Sequence, residues 1–179
     1  MRAFIALEVP EEIKGKAESL ENEFRMEGLT LVKREAMHIT LQFLGEIDAA
    51  GVEKVIEVMK KGSVTPFKVT LSHLSYFTPR LIRVIFVEMT KGREELKQIY
   101  SRLGGALTAS GIRFEEENYV PHFTIARVKR VKDMQKLREL LERNSKAELG
   151  SFEVRSIALK ESTLTPEGPV YNTLYELKL

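Results

Sequence analysis

The reactive side chains of this 179-residue chain are few: three histidines and no cysteine. The missing cysteines exclude thiolate nucleophiles, disulfides, zinc fingers and iron–sulfur clusters together. A three-histidine zinc site would need all three imidazoles. Two of them instead stand in one shared context, His38-Ile39-Thr40-Leu41 and His122-Phe123-Thr124-Ile125. With eleven threonines and 43% apolar residues, a given histidine meets this context rarely, so two of three doing so has a chance of roughly 0.002. On an extended strand alternate residues share a face. His38 is thereby grouped with Thr40 and His122 with Thr124, while the apolar partners point into the opposite layer.

That grouping suits phosphate chemistry. Imidazole titrates near neutral pH, so one ring can act as base while another acts as acid. A threonine hydroxyl two residues on can bond a non-bridging phosphate oxygen. Two such sets facing each other would grip a phosphodiester from both sides for in-line displacement, without a metal. A lone strand histidine is more often structural or at the surface, and His73, without the threonine context, is read that way.

The elements that must carry these residues follow from periodicity. Arg2 to Val9 reads as a strand that Pro10 ends while opening a helix through Met26, with Ile13, Ala17, Leu20 and Phe24 at helical spacing. Leu29–Lys33 and Met37–Leu44 are strand-like. Asp48 can cap a helix through about Lys61. Phe67–Phe77 and Leu81–Met89 form β-rich runs joined at Thr78-Pro79-Arg80. Gly92 precedes a helix marked by Leu96, Ile99, Leu103 and Leu107, which Gly111 ends. The run Glu115-Glu116-Glu117-Asn118 reads as a solvated acidic loop before the strand Pro121–Val128. A helix over about Lys132–Asn144 and two β segments, Phe152–Glu161 and Val170–Leu179, close the chain. Each half runs strand, helix, histidine strand, helix, with the histidines 84 residues apart. Helices mixed with hairpin-joined strands predict an α+β fold of mainly antiparallel sheets, one domain over residues 1–179.

Composition sets the outer bounds. Apolar residues at 43% and charged residues at 30% describe a globular chain. No apolar run approaches the ~20 residues that span a bilayer. The N-terminus meets Glu8 and Pro10 too early for a secretory signal, so a cytoplasmic location is the expectation. A net charge of +2 does not by itself argue for nucleic acid, although Lys33-Arg34 and Arg127, Lys129, Arg130 and Lys132 flank the motifs. The Lys- and Glu-rich balance, with few Asn and Gln, is common in thermophiles.

Nearly the whole chain resembles the two-histidine (2H) phosphoesterase superfamily, and within it the bacterial and archaeal RNA 2′,3′-cyclic phosphodiesterase (2′-5′ RNA ligase) family. The resemblance runs through Arg2-Ala3-Phe4-Ile5-Ala6-Leu7 with Pro10, and His38-Ile39-Thr40-Leu41-Gln42-Phe43-Leu44-Gly45. It continues in Phe77-Thr78-Pro79-Arg80, Tyr119-Val120-Pro121-His122-Phe123-Thr124-Ile125-Ala126-Arg127, and Glu161-Ser162 with Gly168-Pro169-Val170-Tyr171. Ile125 stands where the family usually has Leu.

The resemblance implies a bilobal, pseudo-twofold fold of two antiparallel sheets around a cleft, helices outside and one motif from each lobe. It implies hydrolysis of RNA 2′,3′-cyclic phosphate ends to 2′-phosphates, and in some members reverse 2′-5′ joining of tRNA halves. His38 is assigned as proton donor and His122 as acceptor, a choice the near-symmetric sequence does not force. Thr40 and Thr124 would hold phosphate oxygens. Arg127, the family's arginine after the second motif, would neutralise phosphoryl charge, yet strict alternation puts it opposite His122 unless the strand bulges or ends there. Phe4 and Tyr119 are candidate base-stacking residues. The partners implied are an RNA end with a cyclic phosphate, tRNA fragments included, and a nucleotide ligand. No cofactor, metal or membrane is implied, and nothing demands more than a monomer. Two alternatives stay open: a phosphodiesterase for small cyclic nucleotides, ADP-ribose cyclic phosphate or 2′-5′ oligoadenylates, and a non-catalytic RNA-binding module.

Overall fold

The computed structural model describes residues 1–77, 80–114 and 118–179. The expected turn at Thr78-Pro79 and the acidic run Glu115-Glu116-Glu117 lie outside the described residues. The chain opens with β1 (Arg2–Leu7), buried along its whole length after Arg2. Pro10, in extended backbone, then starts α1 (Glu11–Glu21), which buries Ile13, Ala17 and Leu20. A short β2 (Leu29–Leu31) and a 3₁₀ turn over Arg34–Ala36 lead into β3 (Ile39–Glu46). Next comes α2 (Ala49–Lys61), where the Asp48 carboxylate accepts from the Gly51 amide at 2.7 Å as its cap. The middle of the chain forms β4 (Phe67–Tyr76), β5 (Val84–Lys91) and α3 (Arg93–Ala109). It ends with β6 (His122–Val128), α4 (Met134–Arg143), β7 (Glu148–Val154), β8 (Ser156–Thr165) and β9 (Gly168–Lys178).

These strands make two sheets, in the orders β3-β1-β8-β9 and β2-β6-β5-β4-β7. Neighbouring strands are antiparallel in both, which is the α+β architecture expected. The division between sheets does not follow the division between chain halves. β2 joins the second sheet from the N-terminal half, and the β8–β9 hairpin returns to the first from the C-terminus. The segment Phe152–Glu161, read as one strand, is two: β7 and β8 belong to different sheets, and only Arg155 separates them. Periodicity reports which face is apolar but not which strand lies alongside, so a change of sheet inside one β-rich run leaves no mark.

The buried faces of both sheets and the helices share one connected core. Ile5, Leu7, Ile39 and Leu41 enter it from the first sheet, Ile85, Phe123 and Ile125 from the second, and Leu96 and Leu107 from α3. Among the described residues no helix is long and apolar enough to cross a membrane.

Two bulges matter for the site. Against β1, Thr40 pairs with Ala6 and Gln42 with Ile5, which leaves Leu41 unopposed. Against β5, Thr124 pairs with Phe86 and Ala126 with Ile85, which leaves Ile125 unopposed. The last residue of each motif is therefore the extra residue of a bulge, and both it and its successor are buried. Alternation then resumes out of phase. The residue five after each histidine, Phe43 in one strand and Arg127 in the other, turns back to the histidine's face. Phe43 is 51% exposed there.

Candidate active site

His38 stands one residue ahead of β3, just after the 3₁₀ turn, and His122 opens β6. Both are therefore at strand starts rather than within strands, where the preceding backbone is free to bend back toward the ring. Each Nδ1–H donates to the carbonyl two residues upstream: His38 to Ala36 at 2.8 Å and His122 to Val120 at 2.7 Å. A carbonyl can only accept, so Nδ1 carries the proton in both rings and the neutral tautomer leaves Nε2 with a lone pair. In His38 that lone pair accepts the Thr40 hydroxyl at 3.0 Å.

Each imidazole is walled by two aromatic rings. His38 lies 4.9 Å from Phe4 and edge-on to Tyr171 at 5.0 Å, between ring centroids. His122 lies edge-on to Phe77 at 4.9 Å and 5.2 Å from Phe86. At His38 the walls strip water from the ring. Burial accordingly pushes His38 down to about 4, with the Lys160 and Arg127 charges adding to the drop against the Ala36 carbonyl and Glu8. Burial also raises the Tyr171 phenol, against the nearby Arg127 and Arg2 charges.

The threonines follow strand parity. Thr40 lies on the His38 side, and Thr124 shares a face with His122, whose cross-strand neighbour is Glu88. Arg127 occupies the same face because of the bulge at Ile125, and its charge reaches His38 and Tyr171 on the other sheet. Two aromatic residues are placed otherwise than a base platform requires. Phe4 is 3% exposed and packs among His38, Phe43 and Tyr171, so its faces are already covered. Tyr119 stacks on Tyr100 at 4.3 Å and its hydroxyl donates to the Thr40 carbonyl at 2.9 Å. It braces the approach to β6 against β3, tying one histidine strand to the other. His73 sits exposed in an irregular part of β4 with φ of 70°.

Among the neighbours of the histidines, Phe86, Glu8 and Lys160 carry no signal in a linear reading, whereas Phe77 and Tyr171 lie in segments that the family resemblance covers. Tyr171 comes from β9, Phe86 from β5 and Phe77 from the residue just after β4, and only the fold assembles them around the rings. Glu8 and Lys160 are joined to each other at 2.6 Å. Lys160 lies across from Phe4 in the β1–β8 register. One step beyond the last β1–β3 pair, Leu7 with Ile39, stand Glu8 and His38.

A fold of two antiparallel sheets, each presenting an imidazole tied through Nδ1, is that of a two-histidine phosphoesterase. The chain belongs to the 2′-5′ RNA ligase superfamily, whose family model matches residues 9–163. It is 37% identical to the RNA 2′,3′-cyclic phosphodiesterase of Methanocaldococcus jannaschii over 98% of this chain and 99% of that one. It is 35% identical to the enzyme of the same name from Thermotoga maritima, over 98% and 94%. Among solved structures, a Thermus thermophilus protein superposes with a TM-score of 0.83 at 26% identity, covering 100% of this chain and 98% of that one. The fold is also that of Escherichia coli LigT complexed with ATP, with a TM-score of 0.77 at 22% identity over 99% and 97%.

Proposed function

We propose that the protein hydrolyses RNA 2′,3′-cyclic phosphate ends to 2′-phosphates, using His38 and His122 as its acid and base and needing no metal. The observation that carries the reading is the matched construction of the two rings. Each Nδ1 is committed to backbone, so each Nε2 is the proton-transferring atom. In the reaction, water adds to phosphorus, the bond from phosphorus to the 3′ oxygen breaks, and the 2′ ester remains. His38 gives its Nε2 proton to the departing 3′ oxygen while His122 takes one from the attacking water. Thr40 and Thr124 hold the equatorial oxygens and Arg127 offsets their charge. Full-length likeness to phosphodiesterases of this name supports the substrate class. With the 5′ hydroxyl of a second RNA end in place of water, the same displacement of the 3′ oxygen joins tRNA halves through a 2′-5′ linkage. A single copy in the cytoplasm suffices for either reaction.

A reversed assignment of the two rings is favoured by one observation: burial holds His38 neutral in the free protein, with its pKa down at about 4. The pH dependence of kcat/KM separates the two, because it reports the free enzyme. A rate that climbs as pH falls toward about 4 marks His38 as donor; a plateau that collapses below about 4 marks it as acceptor.

The test of the function itself is turnover of 2′,3′-cyclic RNA with EDTA present, with the product analysed as 2′- or 3′-phosphate. The expected result is a 2′-phosphate, with His38→Ala and His122→Ala each lowering kcat by about 10²–10⁴. Turnover indifferent to both substitutions, a 3′-phosphate product, or loss of activity in EDTA overturns the reading. A strong preference for a small cyclic nucleotide or a 2′-5′ oligoadenylate reassigns the substrate, and RNA binding without turnover returns the non-catalytic module.

A further inference from the structure

The site as built sets one problem: a proton donor needs a proton, and burial against Phe4 and Tyr171 disfavours the charged form of His38 near neutral pH. Its surroundings contain a matching answer. The groups that face His38 come from every element around it: Glu8 at the end of β1, Lys160 on β8, the Tyr171 phenol on β9, and Arg127 on β6. Among them Glu8 is the anion, and it is already engaged. Its Oε1 lies 2.6 Å from the Lys160 ammonium, which is 12% exposed while Glu8 is 34% exposed. Between them lie Ala6 and its β8 partner Ala158, both fully buried. Two methyl groups there leave the lysine a low floor to cross, with the carboxylate on one side and the Phe4–His38 wall on the other.

With the cleft empty, the groups facing His38 already carry a net positive charge, which disfavours a proton on the ring. Lys160 cancels Glu8, and the remaining cation, Arg127, repels an imidazolium. A phosphodiester brings one negative charge and competes with Glu8 for the lysine. An ammonium is a compact charge on a flexible stem and can change partners without losing its packing. We propose that Lys160 exchanges the Glu8 carboxylate for the substrate phosphate, and that the carboxylate so released, beside His38, holds the proton that the ring donates. Lys160 is then a catalytic residue that touches the phosphate, and Glu8 a positioning residue that acts through His38. The exchange makes and breaks no covalent bond. His38 takes its proton from solvent as the anion enters, passes it to the 3′ oxygen, and is neutral again once the product leaves and Lys160 returns to Glu8. This rests on the proposed function, in that it names the source of the donor's proton.

The test follows the His38 ring by NMR in the full chain carrying isotope-labelled histidine, with sulfate as the phosphate probe because it does not titrate in this range. In the wild type, saturating sulfate is expected to raise the His38 protonation constant by at least about tenfold. Lys160→Met is expected to show a raised constant before any sulfate is added, since Glu8 is already free. Glu8→Gln is expected to lose most of the response, and Glu8→Asp to recover part of it. On RNA, Glu8→Gln should lower kcat about tenfold and move the alkaline limb of the profile to lower pH, with KM little changed. An equal response to sulfate in wild type and Glu8→Gln overturns the proposal, as does a Lys160→Met ring that titrates like the wild type. Should Glu8→Gln fail to fold, the Lys160→Met titration decides alone. The ring titration needs no turnover, so wild-type protein that shows the exchange but leaves cyclic RNA untouched defeats the function and not the exchange.

Discussion

Both imidazoles are fixed through Nδ1, and that choice of nitrogen decides what each residue around them can do. The Nδ1–H bond to a carbonyl two positions back costs nothing from the rest of the fold, because it is made within the turn that delivers the ring. Thr40 then meets His38 at Nε2, so the hydroxyl that would contact phosphate also occupies the ring's lone pair until substrate arrives. Thr40→Val removes both contacts and is expected to lower kcat on cyclic RNA about 10- to 100-fold with the fold intact, measured alongside the melting temperature. A buried neutral histidine also leaves a mark on stability. The folded pKa of His38, about 4, lies below the unfolded value of 6.5, so between these the unfolded chain binds more protons. Stability from this group is full above 6.5 and drains away as pH falls toward about 4. Urea unfolding at pH 7 and pH 4.5 should show wild type losing on the order of 2 kcal/mol more than His38→Gln, once solvent screening is allowed for. Strand parity shows the pairing of each histidine with its threonine in the sequence itself. The covered faces of Phe4 and the internal bond of Tyr119 are not visible there, because both depend on partners 39 and 79 positions away.

At the scale of elements, the bulges at Leu41 and Ile125 settle which side chains share the site. Strict alternation places Arg127 behind the sheet, and one unopposed residue brings it to the front. Nothing in Ile125-Ala126-Arg127 announces the bulge beyond two successive small or apolar residues ahead of a charge. Tyr119 joins the elements across the two sheets through the Thr40 carbonyl. Tyr119→Phe keeps the stack on Tyr100 and loses only that bond, so kcat is expected to fall about tenfold while the melting temperature moves little. α1 holds a different kind of element-level tension. Glu21 is 5% exposed with Oε1 unpaired, and burial beside Glu18 pushes it up to about 8. Here the folded pKa lies above the unfolded 4.5, so the folded state binds more protons between 4.5 and about 8 and loses stability as pH rises through that window. Glu21→Gln should therefore stabilise the protein at pH 9, by on the order of 1 kcal/mol or more, and gain nothing at pH 4.

Over the whole molecule, the two sheets are built from interleaved halves. β2 crosses to the second sheet by way of Gly28, whose φ of 90° places the position of a β-carbon 2.3 Å from the Arg130 carbonyl. The Gly28 carbonyl in turn accepts the Lys129 amide at 2.8 Å. Gly28→Ala is expected to destabilise the protein by about 2–4 kcal/mol, from left-handed backbone strain and the displaced strand. Because core and strands are shared, unfolding followed by fluorescence and by circular dichroism should coincide in one transition. Two separated transitions would show lobes that fold alone.

Some of this protein was written in one dimension. Local patterning fixes where apolar residues fall, and so the α+β class, most element positions and the two histidine–threonine faces are legible from residue order. Strand periodicity and turn chemistry act over a few residues, which is the range a linear reading covers. The tertiary structure decided what depends on distant neighbours: the split of Phe152–Glu161 between two sheets, the bulge that turns Arg127 forward, and the aromatic rings that wall each imidazole. It also brought Glu8 and Lys160 to His38, from positions 152 residues apart in the chain. A carboxylate, an ammonium and an imidazole influence one another through space, and only folding sets that distance.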